Sequence, residues 1–350
     1  MDLPELERFL AGELAVDVAE ATVLADGLNL VVGVSTPDRD PAYVLRSPRK
    51  LRESALFLDL RTEYATLERL ADTSLPTPEP VAFFEDGPLD GPFYLATHLP
   101  GEPLPWSTAL PERLRNPAAR DRIATHTVET LAAVHAVDTD PFEGVLPAVS
   151  PREQVEATAA RLDPVTDATG LELPGLRAVA DRLRERAPDG GERTLVHGDF
   201  RPGNLLFDGD CPVTGVLDWE TAALGDPLTE LGYLLLDWRE GTEWPDPAAL
   251  GHPPEAEGMD RVRELHRDGL TPFTTRAGSP SAAELAARYE SHTGRTFEHG
   301  GFHRALAAFG LAVVWADLNR HAVVAGERDP TDALPAVEYV GLVAARALGE

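Results

Sequence analysis

The chain has 350 residues, 43% of them hydrophobic, and a formal net charge of −28 at pH 7. Its length allows a substantial buried core and suggests two structural units. Because 59 acidic residues, scattered along the chain, outnumber 31 lysines and arginines, neither nucleic acid nor a membrane surface is an expected partner. Such an acidic surplus is typical of halophilic proteins, since concentrated salt screens the self-repulsion.

Two rare residue types exclude further classes of site. Cys211 is the single cysteine, which excludes an intramolecular disulfide and a zinc site built from thiols. Lys50 is the single lysine, and its surroundings "SPRKLRE" lack the Gly-Lys-Ser/Thr of a Walker A loop. The chain has no apolar run of about eighteen residues, and its first ten residues do not resemble a signal peptide. We therefore expect a cytoplasmic protein.

The N-terminal part of the sequence predicts a small β-rich lobe over residues 1–98. Residues 22–46 contain apolar and β-branched runs separated by Asp-Gly and by "TPDRDP", which indicates strands. A helix is predicted over residues 52–72. After the proline-rich connector "TSLPTPEP", two further strands are predicted in "PVAFFED" and "PFYLATHLPG". We therefore expect a lobe made of a sheet and one helix.

The remainder, residues 99–350, predicts a larger and mainly helical lobe. Long helical patterns begin with "ARDRIATHTVETLAAVHAV" and continue to the C-terminus. In "GDPLTELGYLL", Asp226 followed by Pro227 indicates the start of a helix, with the aspartate as its N-cap. Residues 239–258 are predicted to form a long surface loop. A cleft between the two lobes is the expected place for a ligand.

The motif "LVHGDFRPGNLLFD", residues 195–208, leads into a predicted hairpin with strands at 205–207 and 213–217. Asn204 precedes the first strand and Asp218 follows the second, so the two side chains are predicted to lie side by side. Amide and carboxylate oxygens are suitable ligands for Mg²⁺. Asp199 is expected to face the same place, where it could accept the proton of a substrate hydroxyl.

Each of these polar residues has a simpler interpretation. An isolated Asn or Asp beside a turn usually caps backbone groups, although the combination of three at this spacing favours a site. His197 is interpreted as a structural residue that holds the loop. A metal-dependent hydrolase that uses His197, Asp199 and Asp218 is an alternative function that stays open.

An ion pair is predicted beside the cleft. Glu63 falls on the apolar stripe of the predicted helix, which consists of Leu56, Leu60, Leu67 and Leu70. A buried carboxylate needs a partner, and Arg46 in the strand "AYVLR" can reach it. Such a pair could hold nucleotide phosphates, with a structural salt bridge as the alternative. The turn "DGLNLVVG", with Gly27 and Asn29, is a weaker candidate for a phosphate-covering turn.

With these motifs, the sequence resembles the aminoglycoside phosphotransferase superfamily of protein-kinase-like small-molecule kinases. The most specific part is "HGDFRPGNLLFD" together with "GVLDWETAALGDPLTELGYLLLDW", which is similar to the branch found alone in prokaryotes or fused to acyl-CoA dehydrogenases. The resemblance implies an α+β, bilobal kinase-like fold with a small antiparallel-sheet N-lobe and a helical C-lobe. It also implies ATP and Mg²⁺ as cofactors.

The resemblance assigns a role to each candidate residue. Asp199 is implied as catalytic base, Asn204 and Asp218 as Mg²⁺ ligands, and Arg46 with its partner Glu63 as the phosphate-holding pair. Arg46 stands in place of the family's lysine, and a guanidinium forks differently from an ammonium, so a different geometry of phosphate binding is expected.

The expected function is ATP-dependent phosphorylation of a hydroxyl group on a small molecule. By resemblance the acceptor is a hydroxyacid or a hydroxyacyl-CoA. Gly310 stands where relatives often carry a basic residue, which puts an anion-recognising role there in doubt. Besides the hydrolase, two alternatives stay open: an inactive nucleotide-binding regulatory module, and a kinase for aminoglycosides or other amino alcohols.

Overall fold

The computed structural model of the protein describes residues 2–14, 17–50, 56–188, 190–238 and 244–349. Its N-terminal part contains five strands, which are β1 Glu20–Asp26, β2 Asn29–Thr36, β3 Arg39–Pro48, β4 Pro80–Phe84 and β5 Phe93–Thr97. They form one antiparallel sheet in the order β1-β2-β3-β5-β4. Alternation along β2 buries Leu30, Val32 and Val34, as expected for a sheet with one covered face.

A helix that the sequence analysis did not predict covers this sheet. Helix α1 spans Leu3–Leu14, and its Leu6 and Leu10, one turn apart, are completely buried against the sheet residues. The expectation of a single helix in the N-terminal lobe was therefore wrong. The apolar spacing within "LPELERFL" is the signal that indicates this helix.

The second helix, α2, spans Leu60–Leu70 and is shorter than the predicted 52–72. It begins after Asp59, whose Oδ1 accepts a hydrogen bond from the Thr62 backbone N–H at 2.9 Å and so caps the first turn. Leu56 consequently lies before the helix, while residues 52–55 of the prediction are outside the described part. The helix places Glu63 on its buried face.

The C-terminal part is mainly helical. Its helices are α3 Pro117–Val134, α4 Pro151–Ala159, α5 Leu162–Thr169, α6 Pro174–Arg186, α7 Pro227–Asp237, α8 Met259–Asp268, α9 Ala282–Thr293, α10 Gly300–Val324 and α11 Leu334–Ala347. Helix α10 packs against α5, α7 and α11 in a large apolar core. The antiparallel N-terminal sheet and helical C-terminal part confirm the predicted α+β fold. None of the described helices is long and apolar enough to cross a lipid bilayer.

Short strands position the motif of residues 195–208 on this helical body. They are β6 Glu102–Pro103, β7 Thr194–Val196, β8 Leu205–Phe207, β9 Val213–Val216 and β10 Ala223–Gly225. Strands β6, β8 and β9 form one small sheet, and β7 pairs with β10 in another. The predicted hairpin is therefore present as β8 and β9.

The predicted surface loop at 239–258 is only partly described, because residues 239–243 lie outside the described part. The remainder contains a short 3-10 helix at Pro247–Leu250. Trp244 is 4% exposed and its ring lies 5.8 Å from that of Tyr339 in α11. The segment is thus anchored to the core by an aromatic contact, which a composition rich in Pro, Gly and Glu does not indicate.

Candidate active site

The turn after β7 carries the first predicted site residue, Asp199, and depends on a glycine. Gly198 has a φ of +85°, and a Cβ atom there would lie 2.2 Å from the backbone oxygen of Thr221. A side chain is therefore excluded on both conformational and steric grounds. The chain can turn sharply at this point and direct the side chain of Asp199 to the cavity between the lobes.

Three donors hold the Asp199 carboxylate in one orientation. Asn204 Nδ2 donates to Oδ2 at 2.7 Å, and the Tyr233 hydroxyl donates to Oδ1 at 2.5 Å. Arg201 Nε lies 3.1 Å from Oδ1. Burial and the neighbouring Asp199 charge raise the pKa of Tyr233 well above its usual range, so its hydroxyl stays a donor. Asp199 is therefore fixed as an acceptor while its side chain remains 27% exposed.

His197 is a structural residue, as the sequence analysis interpreted it. It is completely buried, and its Nε2 lies 2.8 Å from the Leu217 carbonyl oxygen. Its Nδ1 accepts from the backbone N–H of Asp199 at 3.2 Å, and its ring lies 4.7 Å from that of Trp219. Both ring nitrogens are thus engaged in holding the loop against the hairpin.

Glu230 of α7 fastens the same loop, and sequence reasoning missed it. Its carboxylate accepts from the backbone N–H of His197 at 3.1 Å and of Gly198 at 2.6 Å. His135 Nε2 lies 2.9 Å from the same group. Burial alone would raise the pKa of Glu230, but the hydrogen bond from His135 and the nearby histidine and backbone donors lower it below its ordinary value. A glutamate within the apolar run of "LTELGYLL" is the signal that could have found it.

The hairpin places Asn204 and Asp218 at the same end, but not directly opposite each other as predicted. The backbone N–H of Leu217 donates to the backbone carbonyl oxygen of Asn204 at 2.8 Å, so Leu217 is the residue opposite Asn204. The register follows from the turn and from an irregularity between Leu206 and Phe207, which the sequence pattern does not show. Asp218 then adopts a left-handed φ of +71°, and its side chain lines the cavity.

Arg46 of β3 contacts three carboxylates, two of which belong to the other lobe. Its Nε lies 3.2 Å from Glu63 Oε1, which is the predicted ion pair. Its Nη2 donates to Asp218 Oδ1 at 2.7 Å and also to Glu220 Oε2. Glu63 is 3% exposed and accepts from the Tyr94 hydroxyl at 2.9 Å. Burial raises the pKa of Glu63 even though the Arg46 charge opposes this shift.

Glu220 is a further site residue that the candidate set did not include. Burial, with the neighbouring charge of Asp218, raises the pKa of Glu220 to about 7. Its Oε2 accepts from Asn29 Nδ2 at 3.2 Å in addition to Arg46. The turn between β1 and β2 therefore reaches the site through Asn29, and Leu28 lines the cavity. Gly27, the other candidate residue of this turn, is not among the described residues that line the cavity.

A second layer of contacts supports Arg201. Its guanidinium carbon lies 4.5 Å from the centre of the Trp106 ring. The Trp106 indole N–H donates to Oδ1 of Asp237 at 2.8 Å, and the Thr271 hydroxyl donates to the same atom at 2.7 Å. Asp237 is 2% exposed. Arg201 is thereby packed on one side and bonded to Asp199 on the other.

The donor set of this region fits a divalent cation. Carboxylates outnumber guanidinium groups here by two, since the set consists of Glu63, Asp199, Asp218 and Glu220 against Arg46 and Arg201. Asn204 uses its amide nitrogen on Asp199, which leaves its amide oxygen for another partner. Oxygen ligands of this kind are those that Mg²⁺ prefers. Over the described residues, no cluster of three or more His, Cys, Asp or Glu side chains with metal-binding geometry is found.

The cavity between the lobes has a volume of about 540 Å³. Asp199, Asp218 and Glu220 line it together with apolar residues of α10 and with residues of α4. A bound molecule could thus place its hydroxyl group near Asp199 while the rest of the molecule lies against the helices. Lys50 does not line this cavity; its side chain is exposed and pairs with Glu327.

Comparisons with known proteins identify relatives of this chain. Acyl-CoA dehydrogenase family member 11 of Homo sapiens is 30% identical over 234 residues, which make up 64% of this chain and 28% of that protein. The chain thus spans less than a third of the length of this curated relative. A Ralstonia eutropha JMP134 protein assigned as an aminoglycoside phosphotransferase has a TM-score of 0.70 at 23% identity, covering 98% of this chain and 96% of its own.

A second solved structure, the ADP-bound aminoglycoside phosphotransferase APH(2'')-Ib, has a TM-score of 0.59 at 15% identity and covers 99% of both chains. At such identities these structures establish the kinase-like fold. The sequence model of the phosphotransferase enzyme family matches residues 20–265, which include every candidate site residue from Gly27 to Asp218. The resemblance stated from the motifs is confirmed, and the chain belongs to the phosphotransferase enzyme family.

Proposed function

We propose that this chain transfers the γ-phosphoryl group of ATP to a hydroxyl group of a small molecule. The observation that carries the proposal is the Asp199 carboxylate, which three donors orient at the wall of the cavity. Arg46 of the other lobe bonds to Asp218, which lines the same cavity. Phosphoryl transfer depends mainly on positioning and charge stabilisation, and this arrangement supplies both. The family membership supports the same reaction type.

Each residue has a defined task in this proposal. Asp199 accepts the proton of the acceptor hydroxyl, and Asn204 and Tyr233 keep its carboxylate in position. Arg46, aligned by Glu63, exchanges its contacts to Asp218 for contacts to nucleotide phosphates. Asn204 and Asp218 would hold Mg²⁺, which neutralises charge on the phosphates when it is bound.

For the acceptor, we favour a hydroxyacid or a hydroxyacyl-CoA. The wall contributed by α10 is apolar, which suits an acyl chain better than a polycationic aminoglycoside. The curated relatives named acyl-CoA dehydrogenase family members support this choice. An inactive regulatory module is disfavoured, because Asp199, Asp218 and Arg201 line one cavity and Asn204 donates to Asp199.

We also propose that the protein works in a cytoplasm of high salt concentration. The net charge of −28 is strongly self-repulsive at low ionic strength and is screened at high ionic strength. Assays are therefore best carried out in molar KCl.

The test is a screen of the purified protein with MgATP against small hydroxyl compounds, including hydroxyacids, hydroxyacyl-CoA esters and aminoglycosides. Mass spectrometry should detect the gain of one phosphoryl group on one class. The Asp199→Asn variant should lose about 10²–10⁴-fold in turnover, because the amide cannot accept the proton. Its affinity for MgADP should stay within about twofold of the parent.

Asp208→Asn is the matched control, since Asp208 is exposed and caps only the hairpin turn. It should transfer phosphate at the parental rate. Retained turnover in Asp199→Asn would remove the base from the proposal. Release of phosphate without any acceptor would support the hydrolase instead, and nucleotide binding without any product would support the regulatory module.

A further inference from the structure

One side of the cavity is a stripe along α10. The residues that line it recur at helical spacing and are Leu306, Ala307, Gly310, Leu311, Val314 and Trp315. Gln154, Ala157 and Thr158 of α4 line the same space. Asp199 lines the same cavity, so the stripe and the candidate base share one continuous volume.

Gly310 is unusual because it lies in the interior of the 25-residue helix α10. Glycine is, after proline, the least favourable residue in a helix interior. Such a glycine usually allows a close backbone contact, as Gly232 of α7 does, where a Cβ atom would lie 2.7 Å from the His303 carbonyl carbon. At Gly310 a Cβ atom would meet nothing within 4 Å.

Packing within the protein therefore does not require a glycine at this position. A left-handed backbone does not require it either, because Gly310 is helical and is absent from the positive-φ glycines of the described chain. The open volume above it belongs to the cavity. What the missing side chain leaves free is thus space for a ligand.

We propose that Gly310 determines the size of the acceptor, by leaving room for the apolar body of an alcohol whose hydroxyl lies at Asp199. The inference rests on the proposed function for the identity of the reaction, whereas the open space at Gly310 and the residues that line it are observed in the structure. The acceptor class is an alcohol with an aliphatic or aromatic portion that packs between α10 and α4. Leu311 and Trp315, one turn apart along the stripe, provide apolar contacts on the same wall.

The experiment measures binding of 1-octanol by calorimetry, together with binding of MgADP and the melting temperature. Gly310→Leu should weaken octanol binding at least about tenfold, because the new side chain occupies the ligand volume. Its affinity for MgADP should be unchanged. Gly310→Ala should raise the melting temperature by about 1–3 °C, since alanine favours the helix and meets no neighbour. It should weaken octanol binding about threefold.

Gly12 in α1 provides the matched control, because it is exposed, helical and equally open around a Cβ atom. Gly12→Ala should give a similar thermal gain with unchanged octanol binding. The inference is overturned if octanol does not bind the parent protein, if Gly310→Leu binds it equally well, or if Gly310→Ala lowers the melting temperature. If octanol binding behaves as expected and no alcohol is phosphorylated, the proposed function fails, while the assignment of Gly310 to the binding space for an apolar ligand stands.

Discussion

Among the single residues, Asp237 shows how a buried carboxylate can support a site without touching the ligand. Burial raises the pKa of Asp237 to about 6, despite the hydrogen bond from Thr271, the charge of Arg201 and the hydrogen bond from Trp106. Through the Trp106 ring it supports Arg201, which in turn contacts Asp199. Spacing along the sequence could not reveal this chain of contacts, because Trp106 and Asp237 are 131 residues apart.

This residue predicts a specific pH dependence of stability. Because its pKa is raised from 3.8 to about 6 in the folded state, its favourable contribution is complete below the unfolded pKa and is lost as the pH rises through about 6. Asp237→Asn cannot titrate. The unfolding free energy of the parent relative to Asp237→Asn should therefore fall by about 2 kcal/mol between about pH 4 and about pH 8.

Urea denaturation across this pH range provides the measurement. Asp208→Asn, at an exposed position, serves as the control and should follow the parent curve in parallel. A constant difference between the parent and Asp237→Asn would show that Asp237 has no raised pKa.

Among the elements, α7 carries residues that organise the loop after β7. Asp226 caps the helix as predicted, with Oδ1 accepting from the Leu228 backbone N–H at 2.7 Å. One turn further along, Glu230 bonds to two backbone N–H groups of the loop, and Tyr233 bonds to Asp199. The cap was predictable because it depends on adjacent residues. The other two contacts depend on how α7 packs against β7.

Glu230→Gln should destabilise the protein by about 2–3 kcal/mol. The carboxylate accepts on both oxygens, so the amide nitrogen of glutamine must face a backbone or histidine N–H and leave a buried donor unsatisfied. Chemical denaturation measures the loss. Glu284→Gln is the control, because Glu284 belongs to an exposed capping box in which glutamine is also suitable. Equal stability of both variants would contradict the role assigned to Glu230.

For the whole molecule, charge is the dominant property. The 59 acidic residues give a net charge of −28, whose repulsion extends over a Debye length of about 10 Å at 0.1 M salt and about 3 Å at 1 M. Folding brings these charges closer together than in the unfolded chain, so screening favours the folded state.

We therefore expect the melting temperature to rise by several degrees between about 0.1 M and about 1 M KCl. Differential scanning calorimetry measures this slope. A variant in which four exposed glutamates are changed to glutamine, Glu13, Glu20, Glu172 and Glu185, should show a smaller slope. A melting temperature that is independent of KCl would contradict the expectation.

The sequence by itself determined that the N-terminal lobe is rich in strands and that the C-terminal lobe is mainly helical. It also determined the hairpin of β8 and β9 and the start of a helix after Asp226. These features follow from periodicity, turns and caps, which act between residues close in the chain. It also indicated that Glu63 on an apolar stripe needs a cation, because a buried charge must be paired.

Only the tertiary structure decided which groups share the site. Arg46 meets Asp218 across 172 residues, Glu220 joins them, and Tyr233 reaches Asp199 from a separate helix. The register that puts Leu217 opposite Asn204 was decided there as well. Local spacing cannot specify these contacts, since they arise from the packing of distant segments around a common core.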